Sequence, residues 1–171
     1  VPFEIRVADI DEAMDPNKAP YDEVVRVSRL KAKAVSAGED DIVIAADTIV
    51  VCEGKILGKP GSEAEAVSML QLLSGRDHQV MTGMTLLRGS HCHSCTEITD
   101  IHFRDLTDRE IEAYIRTGEP MDKAGSYGIQ GGAALFAERL VGDYYNVMGL
   151  PVCRLGQLLR EIAPEIMEES E

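Results

Sequence analysis

The run Ile42-Val43-Ile44-Ala45-Ala46-Asp47-Thr48-Ile49-Val50-Val51 is apolar apart from Asp47 and the adjacent threonine. Its β-branched residues read as a strand, and the carboxylate at its centre has to leave water with them. An unpaired buried carboxylate costs several kcal/mol or takes up a proton, so a chain keeps one where the charge has a partner or a task. A strand-end aspartate that caps a turn is the structural alternative. Against it, no Gly, Pro or Asn follows Asp47, and the β-rich run continues to Val51. Asp47 is therefore a candidate for chemistry, since perturbed carboxylates concentrate at active sites.

Around this run the pattern changes period repeatedly. Residues 3–7 alternate and predict a half-buried strand, and the acidic, proline-containing residues 11–20 predict a loop. Residues 21–37 predict a helix with Tyr21, Val24, Val25, Ser28 and Val35 near one face and Gly38 as its stop. Lys31 falls on that same inward stripe, where a lysine either snorkels to the surface or reaches a buried anion. Glu53-Gly54-Lys55 predicts a tight turn, with residues 56–60 leading away from it. A helix is expected from Ser62 to Leu73, ended by Ser74-Gly75. Two strands follow at 78–87 and 97–103, joined by a loop over 88–95. Thr107-Asp108-Arg109-Glu110 is a capping-box pattern opening a helix to about Thr117. Residues 122–132 are rich in glycine. Short strands are expected at 135–141 and 144–148 around Gly142-Asp143, then a helix from Pro151 and an acidic tail over 165–171. Strands alternating with helices, together with hairpins, predict an α/β fold with a mixed rather than purely parallel sheet and flanking helices.

The length of 171 residues fits one domain. No apolar stretch approaches the roughly 20 residues that span a bilayer. The opening residues show neither a basic nor an apolar leader region, so a cytoplasmic protein is expected. A net charge of −13 argues against a nucleic-acid or anionic-membrane partner, yet a few placed lysines and a divalent cation still admit one phosphorylated ligand. Cys52, Cys92, Cys95 and Cys153 lack framework spacing and are expected to remain thiols.

Several local motifs carry no chemistry. Gly54-Lys55-Ile56-Leu57-Gly58-Lys59 is one residue short of a P-loop, and Pro60 stands where Ser or Thr is required. His91-Cys92-His93-Ser94-Cys95 has soft ligands but no second cluster, so it reads as a hairpin connection. No nucleophile elbow is present. The strongest set is assembled from separated pieces: Glu12, Lys31, Asp47, Lys59, Lys123 and Gln130. Carboxylates in a cleft can hold Mg²⁺ or Mn²⁺ and activate water, while lysines neutralise phosphate oxygens. Gln130 can hydrogen-bond a base edge or orient water. These groups suit metal-assisted attack of water on a phosphoanhydride.

The order of the motifs Ala46-Asp47-Thr48, Gly58-Lys59-Pro60, residues 73–83 (LSGRDHQVMTG), residues 118–131 (GEPMDKAGSYGIQG) and residues 145–151 (YNVMGLP) resembles the Maf family of nucleotide pyrophosphatases, over nearly the whole chain. The resemblance implies hydrolysis of a nucleoside triphosphate to its monophosphate and pyrophosphate with a divalent cation. It also implies the two-lobed fold, with a cleft between the lobes, shared with inosine-triphosphate pyrophosphatases. By motif, Asp47 would activate water; the carboxylates that could hold the cation are Asp47 and Glu12. Thr48 and Gln130 match positions tied to substrate choice, and Glu12, Lys31 and Lys59 match positions lining the cleft, with Lys123 beside them. Ala-Asp-Thr resembles the dTTP/UTP-acting subgroup, whereas the subgroup preferring 7-methyl-GTP has Ser-Asp-Gln. Activity on modified pyrimidine nucleotides would be a house-cleaning role, and a homodimer is implied. The family's link to cell-division arrest supplies the alternative of a nucleotide-binding regulatory protein with little turnover. One departure is that the family's Ser-x-Ser-Pro-Arg-Arg phosphate loop has no counterpart upstream of residue 3. Its arginines would make bidentate phosphate contacts that lysine cannot copy, so the natural chain is expected to extend beyond Val1.

Overall fold

The apolar run around Asp47 forms β1, Val43–Cys52, in a computed structural model that describes residues 3–35 and 37–168. Glu53 and Gly54 both take positive φ, at 51° and 76°, and reverse the chain into β2, Lys55–Leu57. Such a two-residue turn matches the right-handed twist of a hairpin. β3 (Asp77–Arg88), β4 (His91–Phe103) and β5 (Ala137–Val141) complete a sheet of order β2-β1-β3-β4-β5, in which each recorded pair is antiparallel. The α/β fold with flanking helices is as the sequence predicts. In place of the expected mixed sheet the recorded pairing is antiparallel throughout: β1–β2 and β3–β4 are hairpins, while β1–β3 and β4–β5 are joined through helices.

Both faces of the sheet are covered, which is why β1 reads as apolar without alternation. On one face lies α1 (Pro20–Ala34), whose Val24 packs with Ile49, Val51 and Met81. On the other, Val50, Cys52, Val80, Ile101 and Phe103 form the main core with α2 (Glu63–Leu73) and α3 (Asp108–Ile115). Leu70, Leu73 and Phe103 are fully buried there, each contributing about 2 kcal/mol over the exposed state. Ser62 caps α2 by accepting from the Glu65 amide, and Thr107 with Glu110 forms the expected capping box on α3. α4 (Tyr144–Val147), α5 (Val152–Ile162) and α6 (Pro164–Glu168) follow β5.

Five local expectations are corrected. Residues 3–7 form no strand: Phe3, Ile5 and Val7 are exposed and no strand among the described residues pairs with them, and alternation without a ladder does not hold a strand. α1 ends at Ala34, with Val35 already extended, before Gly38 is reached. Its inward face is Val24, Val27, Ser28 and Ala32, while Tyr21 is exposed. Residues 91–95 belong to β4, because Gly89 at φ 54° turns the chain tightly enough for Arg88 to pair with His91. Their side chains then alternate between faces, and no three His, Cys, Asp or Glu side chains among the described residues gather as a metal site. Residues 144–147 are helical, because the Asp143 carboxylate accepts from the Tyr145 amide as an N-cap.

His78 is buried between strand and core, edge-on to Phe103, with Nε2 2.8 Å from the Tyr127 hydroxyl. Burial lowers its pKa from 6.5 to about 4. The unfolded chain therefore takes up a proton between these values that the folded chain refuses. Stability contributed by neutral His78 is present above pH 6.5 and is lost as pH falls towards 4, by roughly 3 kcal/mol. Urea titrations at pH 7 and pH 4 should show this loss in the parent and a much flatter response in His78→Gln. Equal pH slopes in the two proteins would refute the assignment.

Candidate active site

β2 pairs only with Val50, Val51 and Cys52, so β1 from Val43 to Ile49 has no strand on its outer edge among the described residues. Side chains from both faces of the sheet can reach a cleft along that edge. Asp47 projects on the α1 side and Thr48 on the core side, as strand geometry requires of neighbours. The cleft, of about 780 Å³, is lined by Glu12, Lys31, Asp47, Thr48, Lys59, Lys123 and Gln130, with Met14, Ile56, Tyr127 and Gly149 among its other walls. All seven residues singled out from the sequence thus lie at one place.

Lys31 Nζ donates to Asp47 Oδ1 at 2.7 Å and stands 3.1 Å from Glu12 Oε1. Of the two sequence alternatives for Lys31, the reach to a buried anion is the one realised. Burial raises the pKa of Asp47, and the opposing pull of Lys31 is not enough to bring it back. Burial works to lower the pKa of Lys31, but two carboxylates overcome it and hold the ammonium charged. The site therefore holds a fixed cation beside a carboxylate of increased basicity.

Each wall has its own support. Gly83, opposite Asp47 in the β1–β3 register, lets α1 approach backbone to backbone: a Cβ there would stand 2.7 Å from Val25 Cα. This closeness puts Lys31 within reach of Asp47. The loop carrying Glu12 is tied to α1 by buried Glu23, which accepts from the Asp15 amide and from Nε and Nη2 of Arg26, while Arg26 Nη2 also donates to Ala13 O. The Arg26 guanidinium, helped by that amide, pulls the Glu23 pKa down to about 2. Gly125 N donates to Gly58 O, which joins the segment bearing Lys123 to the turn bearing Lys59. Lys59 itself has no hydrogen bond or ion pair to any described residue, whereas Lys123 pairs with Asp122 at 3.0 Å. Glu119 accepts from Tyr114 Oη and the Gly132 amide, and Tyr114 Oη accepts from the Gly128 amide, so the loop bearing Gln130 is clamped at both ends. A Cβ on Gly131 would collide with the Glu119 carboxylate.

Glu23, Tyr114 and Glu119 were missed by sequence reasoning. The one signal available was that Glu119 lies within the long motif containing Gln130. A larger depression of about 960 Å³ lies at the far end of the sheet, with Glu39, Asp40 and Asp41 in its wall. Its Arg88 is engaged by Glu165 and Ile162 O, so the described lining offers no unpaired arginine or lysine to an anionic ligand.

A free strand edge with a basic carboxylate, three lysines and a glycine-rich loop around one cleft defines an α/β domain suited to a small phosphorylated ligand. The chain belongs to the Maf family: the family profile, described as Maf-like protein, matches residues 1–162. Among curated relatives, the dTTP/UTP pyrophosphatase of Bacillus cereus strain AH187 is 48% identical over 162 residues, covering 94% of this chain and 85% of the relative. The protein of the same name from Bacillus cereus strain ATCC 10987 / NRS 248 is also 48% identical, with 94% of this chain and 80% of the relative covered. That of Bacillus anthracis strain CDC 684 / NRRL 3495 is 46% identical, with coverage of 94% and 85%. No helix among the described residues is long and apolar enough to cross a membrane.

Proposed function

We propose that this chain is a cytoplasmic nucleoside triphosphate pyrophosphatase that hydrolyses dTTP and UTP, and modified pyrimidine nucleotides of the same shape, to the monophosphate and pyrophosphate. The observation that carries the reading is the pairing of half-buried Asp47 with Lys31 in a cleft that also presents Lys59 and Lys123. The names of the relatives agree with it.

Asp47 accepts a proton from water as the water oxygen attacks the phosphorus that bears the nucleoside. The bond from that phosphorus to the bridging oxygen breaks, and pyrophosphate leaves with the electron pair. Lys31 keeps Asp47 oriented and, with Lys59 and Lys123, offsets charge on the phosphate oxygens. Thr48 and Gln130 face the base. Gly128 and Gly131 lack the Cβ that would strike Lys123 and Glu119, so the loop bearing Gln130 packs tightly against both.

The donor set fits a divalent cation. Asp47 and Glu12 already share one ammonium, so a carboxylate oxygen from each lies near the same point. Mg²⁺ taken up together with phosphates needs one or two protein carboxylates, which Asp47 and Glu12 would supply. When bound, the cation would act as a Lewis acid on the phosphate oxygens.

A pyrophosphate-release assay on dTTP, UTP, CTP and 7-methyl-GTP tests the reading. Release from dTTP and UTP should exceed the others, vanish with chelator and return with Mg²⁺ or Mn²⁺. Tight nucleotide binding without pyrophosphate release would favour a regulatory nucleotide-binding protein instead.

A further inference from the structure

Thr48 and Thr82 face each other across β1 and β3, their hydroxyl oxygens 2.9 Å apart. Thr82 is fully buried and forms no part of the cleft wall, whereas Thr48 does. A hydroxyl has one proton to give. Thr82 donates its proton to the main-chain carbonyl of Asn146 at 2.9 Å, and a carbonyl can only accept. The bond between the threonines must therefore run from Thr48 to Thr82. Thr48 has no proton left for the cleft and presents lone pairs alone.

The surroundings lock this direction. Asn146 is buried, with Nδ2 donating to Val80 O at 3.1 Å and Thr99 Oγ1 at 3.0 Å, which pins α4 to β3 and β4. The Gly149 amide donates to the same Asn146 carbonyl at 3.0 Å, so that oxygen sits in a fixed place beneath Thr82. Gly149 also leaves the approach to Thr48 open: a Cβ there would stand 3.4 Å from Thr48 Oγ1.

We infer that Thr82 is a positioning residue that makes Thr48 an obligate hydrogen-bond acceptor, so that the cleft selects bases offering a ring N–H at this point. The inference rests on the pyrimidine-nucleotide reading above and deepens it. Uracil and thymine carry N3–H, a donor. Cytosine has an unprotonated N3 at the same place, and two acceptors facing each other leave both without a partner. Removing the Thr82 hydroxyl frees the Thr48 proton, and Thr48 can then donate to cytosine.

The test compares wild type with Thr82→Val and Thr82→Ser, by calorimetric Kd for dTMP and dCMP and by kcat/KM for dTTP and dCTP. Wild type should prefer the thymine nucleotide. Thr82→Val should reduce that preference about tenfold, the worth of one hydrogen bond, chiefly by improving dCMP binding. Thr82→Ser, which keeps the relay, should retain it. A Val variant that weakens both nucleotides in equal proportion would show a structural role only and overturn the inference, as would a wild type without thymine preference in binding. Should Thr82→Val fail to fold, Thr48→Val replaces it: loss of the preference supports the acceptor role and its persistence overturns it. An intact binding preference without turnover of any triphosphate supports the polarity and counts against the pyrophosphatase reading alone.

Discussion

Asp47→Asn is expected to lower kcat for dTTP about a thousandfold while leaving the fold intact. Loss of a positioned general base typically removes two to four powers of ten, and asparagine has the shape of aspartate without its basicity. The stability side is nearly balanced. Folded Asp47 holds its proton more tightly than the unfolded chain does, because burial raises its pKa above 3.8. Its contribution is thus fully present below pH 3.8 and lost as pH rises through the folded pKa, so ionised Asp47 is a mild burden at neutral pH. Against that, Lys31 gives up one of its two carboxylates and keeps Glu12 at 3.1 Å. The net change should stay within about 1 kcal/mol at pH 7. The parent's kcat/KM should rise with pH through the raised Asp47 pKa, and the variant should lose that limb. A folded variant with unchanged kcat would remove Asp47 from the role of base, and one that unfolds would refute the stability balance.

Gly83→Ala should be the most damaging of the conservative changes, although it touches no ligand. The added methyl would stand 2.5 Å from Val24 C and 2.7 Å from Val25 Cα, both main-chain atoms that cannot rotate away. Helix α1 must move outward, with an overpacking cost of about 3 kcal/mol. Lys31 rides on that helix, so its 2.7 Å contact with Asp47 opens as well. A displacement of about 1 Å at a reacting group can cost about a hundredfold in rate, which is the expected fall in kcat/KM. The paired control is Gly156→Ala in α5, where a Cβ meets nothing within 4 Å and helix propensity favours alanine by up to about 1 kcal/mol. Urea midpoints and dTTP kinetics on both variants check the contrast. If Gly83→Ala behaved like Gly156→Ala, the close approach of α1 would not be what holds the site together.

The local structure that could be read from the chain is the part written in adjacent residues. The caps at Ser62 and Thr107 lie within three residues of the amides they satisfy. The Glu53-Gly54 turn needs only its own backbone angles. Where neighbours mislead, the structure departs from the expectation: Gly142-Asp143 suggests a hairpin, but Asp143 caps a helix over 144–147, and the expected loop over 88–95 is mostly strand because Gly89 closes a tight hairpin. The alternation at residues 3–7 is a pattern without a partner strand among the described residues.

Asp47 and Lys31 were marked by sequence alone, because a charge within apolar periodicity is visible one residue at a time, whereas Glu12, Thr48, Lys59, Lys123 and Gln130 stand out by residue type and by the family resemblance. Their convergence was decided by tertiary structure. Three-residue β2 leaves the edge of β1 uncovered, and Gly83 lets α1 bring Lys31 onto Asp47 across sixteen residues of chain. The proton of Thr48 points where Thr82 and the Asn146 carbonyl direct it. Hydrogen bonds of this range have partners distant in sequence, so their direction exists only once the sheet has placed them face to face.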